Sequence, residues 1–382
     1  FDTAGLPTTA GSRLLRDRVP ATDARAVQRL RAAGAIVLGK TAMTVFAAMD
    51  PAPTRNPWQL DHTPGGSSSG SAAAVAARLA PAAIGSQTAG SILRPAAFCG
   101  VIGLKPTYGA IDRGGLYPCA WSMDHAGPIT RTVEDAALLF GVMANRREPP
   151  IERDVNGVVV GVATDDYFRA GVDEDTQAAF DRTLARLADA GAVIKTIALP
   201  ERFQAGVDAG IIAMYAEMAA IHADRFPAQR DRYGWKLACL LDAGRSIAAS
   251  DYLRAQQVRR VAADELRQQH DRWEVEFDRD PGRDVLERCD LPCVALGDRA
   301  LQAVRRQVVV RDPGAREAQA QHRPRAVELD HLEQLEQLLV DVEQRHVAAE
   351  AAGQGTGGDL QLGHFLGRSM PATGTSAMSW WS

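Results

Sequence analysis

Lysine is scarce in this chain. Of its 43 basic residues only Lys40, Lys105, Lys195 and Lys236 are lysines, so few side chains are available for chemistry that needs a titratable amine. Cysteine is also rare: Cys99, Cys119, Cys239, Cys289 and Cys293 are five in 382 residues. Five make no disulfide framework, and an odd count fits a reducing cytoplasm better than an oxidising compartment. Cys289 and Cys293 lie close in sequence, but no second pair or histidine cluster accompanies them, so no metal site is expected. No apolar run reaches the length of a membrane span and no secretory leader is visible, so no membrane association is expected. A net charge of −4 gives no reason to expect nucleic acid as a partner. No GxxxxGK[ST] phosphate loop falls between residues 63 and 107, so the most glycine- and serine-rich part of the chain is not a Walker-type loop.

What the chain has instead is a stretch from Thr63 to Thr107 dense in Gly, Ser and Ala. Gly65-Gly66-Ser67-Ser68-Ser69-Gly70-Ser71 reads as a loop. Ser71 to Leu79 reads as a helix built from strong helix formers. A helix N-terminus beneath a Gly/Ser loop presents backbone N–H groups that suit negative charge. After a short apolar run, Pro81 to Ile84, comes Gln87-Thr88-Ala89-Gly90-Ser91. Small residues there let several N–H groups converge on one point, as an oxyanion hole requires. A flexible linker would not be interleaved with apolar helix and strand.

The rest of the chain alternates helix and strand. Residues 22–33 predict a helix capped by Thr22, with Val27 and Leu30 on one face, followed by a buried strand over Ala35 to Leu38. Gly100 to Leu104 predicts another strand. Thr132 is the expected cap of a helix reaching about Met143, with acidic residues in its first turn. Gly157–Thr164 and Ala192–Leu199 predict strands around a helix over Asp173–Ala190. Further helices are expected near Ala205–Asp224 and Ser250–His270. Beyond about Phe277 the pattern loosens. A helix is expected over 326–352, its leucine stripe a packing face, and a disordered tail over 353–382. The 382 residues divide in this reading into 1–275 and a divergent region, 276–382.

The ordered motifs resemble the amidase signature family. They are the FDTAGLPTTAGS opening, Asn56-Pro57-Trp58, GGSSSGS at 65–71, TAGSI at 88–92, PAAFCGVIGLKPT at 95–107 and GPITRTVED at 127–135. The resemblance covers about residues 1–275 and lapses after them. It implies an α/β fold with a mixed central sheet flanked by helices on both faces. It also implies an amidohydrolase that cleaves the carbon–nitrogen bond of a small carboxamide through an acyl-serine, without cofactor or metal. Ser91 is the implied nucleophile and Ser67, preceded by a cis peptide bond, the implied proton relay. The amides of Thr88, Ala89, Gly90 and Ser91 are the implied oxyanion hole, and Ser68, Ser69 and Ser71 are left as loop and cap hydroxyls. A small-molecule amide is the expected partner, with room for a homodimer.

The family's base is a lysine in a G-[IV]-P-x-x-x-K-D motif just ahead of the FDTAG segment. Here that motif would fall before Phe1, and Lys40, Lys105, Lys195 and Lys236 match it nowhere. The chain, opening on Phe1 rather than Met, reads as truncated, and a catalytically impaired fragment is one expectation. His62 and His125 are the histidines nearest the Gly/Ser stretch, but neither sits in a catalytic motif, and hydrogen-bonding roles are expected of them. The A subunits of glutamyl-tRNA amidotransferases are the alternative within the family. They usually read D-T-G-G-S-I-R, where this chain has Gln87-Thr88-Ala89-Gly90-Ser91-Ile92-Leu93-Arg94, and that difference favours a free-standing amidase.

Overall fold

The computed structural model describes residues 1–147, 151, 154–277 and 293–295. The larger of its two sheets is antiparallel. Strands β1 (Ala82–Gln87), β2 (Ile102–Lys105), β3 (His125–Thr130) and β6 (Cys293–Ala295) stand in the order β1-β3-β2-β6. Side chains alternate across a strand, and the clusters follow that rule on both faces. Ala83 and Ile129 pack with Ala72, Ala73, Val75, Ile92 and Ala96 of helices α2 (Ser69–Ala76) and α3 (Leu93–Phe98) and the residue before α3. Ile84, one residue from Ala83, and Ala126, three residues from Ile129, pack with Ala26, Met143 and Ala144 of α1 (Arg25–Ala32) and α4 (Val133–Ala144). Helices therefore cover both faces, and the chain has the mixed α/β architecture expected of it.

A second, two-stranded sheet pairs β4 (Val159–Ala163) in parallel with β5 (Val193–Ile197). The short α5 (Asp166–Arg169) and the long α6 (Glu174–Asp189) connect them, as a parallel pair demands. Phe180 of α6 is buried against Val160, Val162 and Ile194. The remaining helices are α7 (Phe203–Ile221), α8 (Phe226–Gln229), α9 (Trp235–Ser246) and α10 (Ala249–Phe277). Met218, Phe226, Leu237, Ala238 and Leu241 from these helices enclose Phe46 in one core. Buried His222 stands edge-on to Phe46, with its Nδ1 3.0 Å from the Tyr233 hydroxyl.

Local chemistry explains most of these elements. Thr132 caps α4 by accepting from the Asp135 amide, with Glu134 and Asp135 in the first turn. Asp173 caps α6 in the same way through the Thr176 amide. Three expectations need correction. Residues 35–38 form no strand; Ile36 and Leu38 are 83% and 72% exposed, and no ladder partner stands beside them among the described residues. Four apolar residues cannot make a strand without another to pair with. Thr22 does not cap α1: Ala24 occupies the cap position with no side-chain bond, and the adjacent Asp23 carboxylate accepts from the Ala4 amide instead. Helix α2 begins at Ser69, two residues earlier than composition suggests, because the Gly/Ser loop already turns helically there. The helix expected over 326–352 and the tail over 353–382 lie outside the described residues.

Candidate active site

The Gly/Ser loop is held from four sides. Gly65 adopts φ +74°, and a Cβ there would come within 2.9 Å of the Pro95 backbone, so only glycine lets the loop lie against α3. The Gly66–Ser67 peptide is cis. The Gly66 carbonyl accepts from the Arg94 guanidinium at 2.9 and 3.1 Å. The segment before the loop grips it too: the Thr44 amide donates to Ser67 O (3.1 Å), the Gly70 amide to Ala42 O (2.8 Å), and the Thr41 and Ser71 hydroxyls meet at 2.8 Å. Asn56 donates to the Thr63 and Phe98 carbonyls, while the Trp58 indole donates to Cys99 O at 2.7 Å. The N-P-W triplet is thus a brace between loop and α3.

Ser68, Ser69 and Ser71 are bonded to backbone carbonyls rather than acting as caps. Their hydroxyls donate to Ser86 O (3.3 Å), Gly65 O (2.7 Å) and Ile84 O (3.0 Å). Ser68, at the cap position of α2, makes no side-chain capping bond. Ser67 differs from all three. It is buried, and its hydroxyl has no hydrogen-bond partner among the described residues. A buried, unbonded hydroxyl costs free energy, which makes it the polar group of this loop left over by the scaffold.

The second loop, Thr88 to Ser91, leaves the end of β1 and enters α3. The Ser68 amide donates to Ser91 O at 3.1 Å, tying the two loops together, and Ser91 is itself buried. Gln87, 3% exposed, folds the loop around its side chain: Nε2 donates to Ala89 O (3.1 Å), and Oε1 accepts from the Ile92 and Leu93 amides (2.8 and 2.9 Å). The Arg94 amide closes the turn onto Gly90 O at 2.8 Å. On the other side the Thr88 hydroxyl donates to Asp124 Oδ1 at 2.6 Å. These bonds use side chains and carbonyls of the loop, not the amides of 88–91 as donors.

A family description, Amidase, matches residues 1–279 of the chain. The chain belongs to the amidase signature family. The glutamyl-tRNA(Gln) amidotransferase A subunit of Carboxydothermus hydrogenoformans is 44% identical over 220 residues, 52% of this chain and 45% of that one. Its counterpart from Halorhodospira halophila is 37% identical over 340 residues, 76% of this chain and 70% of the relative. Among solved structures, one described as an amidase superposes with a TM-score of 0.64 at 33% identity, covering 73% of this chain and 63% of its own. The chain spans about half the length of the first curated relatives it matches, 45% and 51%.

The two histidines nearest the Gly/Ser stretch hold a loop and a strand position. His62 is exposed in the loop before the Gly/Ser stretch. His125 lies in β3 with Nδ1 3.2 Å from Gln87 O, and burial, reinforced by Lys105, pushes its pKa down to about 4. It is a neutral ring at ordinary pH. Among the lysines, the Lys40 ammonium donates to the Phe1 carbonyl and the Thr3 hydroxyl and Lys105 to Pro106 O, Lys236 lies over the Trp235 ring, and Lys195 is on β5. Cys99 and Cys119 are buried thiols whose pKa desolvation pushes up to about 12, far from thiolate chemistry. Sequence reasoning missed Gln87, Asp124 and Arg94 as the braces of the site: Asp124 and Arg94 act on partners outside their own motifs, and the Gln87 side chain folds back on its own loop.

Proposed function

We propose that this chain carries the acyl-transfer half of a carboxamide hydrolysis, with glutamine as the amide. Ser91 Oγ bonds to the amide carbonyl carbon while its proton passes to Ser67. The amides of Thr88 to Ser91 hold the resulting oxyanion. Ser67 then protonates the departing nitrogen, the C–N bond breaks, ammonia leaves, and water releases the acyl group from Ser91. The observation that carries this reading is the tie between the two loops, in which a buried, unbonded Ser67 hydroxyl belongs to a loop bonded to Ser91. Glutamine is favoured over other small amides because the curated relatives are amidotransferase A subunits. The reading places the chain in the cytoplasm, in contact with further subunits or a second copy. The acceptor for the Ser67 proton is a neutral lysine by the family resemblance, and Ser67 Oγ makes no hydrogen bond to any of the four lysines.

A second reading, a free-standing hydrolase of small carboxamides, is favoured by one local feature. Where the amidotransferase pattern has an acidic residue four places before the nucleophile, this chain has the neutral Gln87, fully used as a brace. Ammonia release from glutamine and from a panel of aliphatic and aromatic amides separates the two, read as relative kcat/KM. Fluorophosphonate labelling tests the chemistry beneath both. Labelling that Ser91→Ala abolishes and Ser67→Ala slows is expected. Labelling unchanged by Ser91→Ala overturns the acyl-serine reading, and a folded chain that never reacts is the impaired fragment.

A further inference from the structure

We propose that Asp124 is a positioning residue for the oxyanion loop, setting the Thr88–Ser91 amides through the Thr88 hydroxyl. The proposal rests on the acyl-serine reading above. Asp124 is 4% exposed and lies 36 residues from Thr88 in sequence. Their bond, 2.6 Å, has the length of a charge-assisted O–H···O⁻ contact. The carboxylate has no freedom of its own: Oδ2 accepts from the Cys119 amide at 2.9 Å, and both oxygens accept from the Ala120 amide at 3.1 Å. Two amides and one hydroxyl converge on it, all donors. A carboxylate accepts from all three, whereas an asparagine would turn its NH₂ on one of them.

The 119–124 turn is in turn fixed to the helices behind it. Glu217 of α7, 1% exposed, accepts from the Ser122 amide at 2.9 Å through Oε2. Through Oε1 it accepts from the Tyr252 hydroxyl (3.0 Å) and the Gln256 amide group (3.2 Å) of α10. The Arg259 guanidinium adds bonds to the Ser122 hydroxyl (3.1 Å) and to Gln256 Oε1 (2.8 Å). A continuous series of hydrogen bonds therefore runs from α7 and α10 through the turn to Asp124 and Thr88. Gln87 grips the same loop from inside. With Asp124 on one side and Gln87 on the other, the amides of 88–91 are held before any substrate arrives, which is what electrostatic preorganisation requires. Thr88 is the first residue of the loop, so its side chain is the lever by which helices distant in sequence set the hole.

The test uses the full chain and an alkyl fluorophosphonate, whose phosphoryl oxygen takes the oxyanion position when Ser91 is modified. Thr88→Val removes the hydroxyl with little change of shape, and Thr88→Ser keeps it. Thr88→Val should slow the second-order labelling rate by about 10²-fold, the usual effect of misplacing a catalytic group by about 1 Å. Its melting temperature should stay close to the wild type's. Thr88→Ser should restore most of the rate, and Asp124→Asn should resemble Thr88→Val. Labelling of Thr88→Val at the wild-type rate overturns the proposal. So does a slower rate that only tracks lost folding, because Asp124 would then be a structural brace and no more. If Asp124→Asn fails to fold, the Thr88 pair decides. Absence of Ser91-dependent labelling in the folded wild type overturns the underlying reading itself, a result distinct from any pattern among the Thr88 variants.

Discussion

Replacing Gln87 with leucine removes three hydrogen bonds from one buried point while nearly conserving shape. The Ile92 amide, beside a fully buried side chain, loses its only described acceptor, as does the Leu93 amide next to it. A buried amide left without an acceptor costs about 1–3 kcal/mol. The Ile92 amide belongs near the top of that range. Leu93 is half-buried, so its amide can reach water and belongs near the bottom. The Ala89 carbonyl, in an exposed residue, is readily rehydrated. Burying the leucine returns less than about 1 kcal/mol of this, since the glutamine stem was already buried. The net loss is about 3 kcal/mol, which at about 2 °C per kcal/mol for a domain of this size is a fall in Tm of roughly 5 °C. Gln87→Glu keeps both amide acceptors but turns an oxygen on Ala89 O and places a carboxyl at a buried site, so it too should be destabilised. Thermal unfolding followed by circular dichroism, with Ser91 labelling alongside, reads both. Gln87→Leu within about 0.5 kcal/mol of the wild type would refute the claim that this side chain organises the loop.

Ser67→Ala should leave stability unchanged or raise it by up to about 1 kcal/mol, since the hydroxyl it deletes has no partner. Fluorophosphonate labelling should nevertheless slow, and a clear loss of Tm would show that the hydroxyl is structural. Burial, with a lesser contribution from Arg225, pushes the pKa of His222 down to about 4 from its ordinary 6.5. Between those values the unfolded chain takes a proton that the native chain refuses, so stability is intact above about pH 6.5 and declines as pH falls towards 4. The loss is up to about 3 kcal/mol, seen by urea unfolding at pH 7.5 and 4.5, and His222→Gln should flatten it. Gly127 lies in β3, where a Cβ would stand 1.9 Å from the Leu104 carbonyl oxygen of the neighbouring strand. Gly127→Ala should cost about 3 kcal/mol or more, and a melting temperature equal to wild type would contradict the sheet geometry.

Local chemistry was legible from the residues alone. The cap at Thr132, the α6 helix over 174–189 and the β4 and β5 strands flanking it depend on neighbours within a turn or on alternation along a few residues. The same holds for the loop character of 65–68 and of 88–91, where Gly and Ser leave the backbone little else to do. Residue order alone therefore specified the family, the two loops and most of the helices.

What it could not supply were partners at long range. Ala35 to Leu38 has the composition of a strand, yet a strand exists only where another lends it donors and acceptors, and none stands there among the described residues. Ser67 and Ser71 are alike in sequence. Only the fold gives the Ser71 hydroxyl two partners, Ile84 O and Thr41, and leaves that of Ser67 with none among the described residues. The bond from Thr88 to Asp124 spans 36 residues and that from Ser122 to Glu217 spans 95. Nothing in the order of residues singles out Asp124 or Glu217; burial makes each of them bond to whatever donors the tertiary structure brings near. Hydrogen-bond satisfaction is a property of the packed molecule, and in this chain it is the packing that turned a recognisable pair of loops into a braced site.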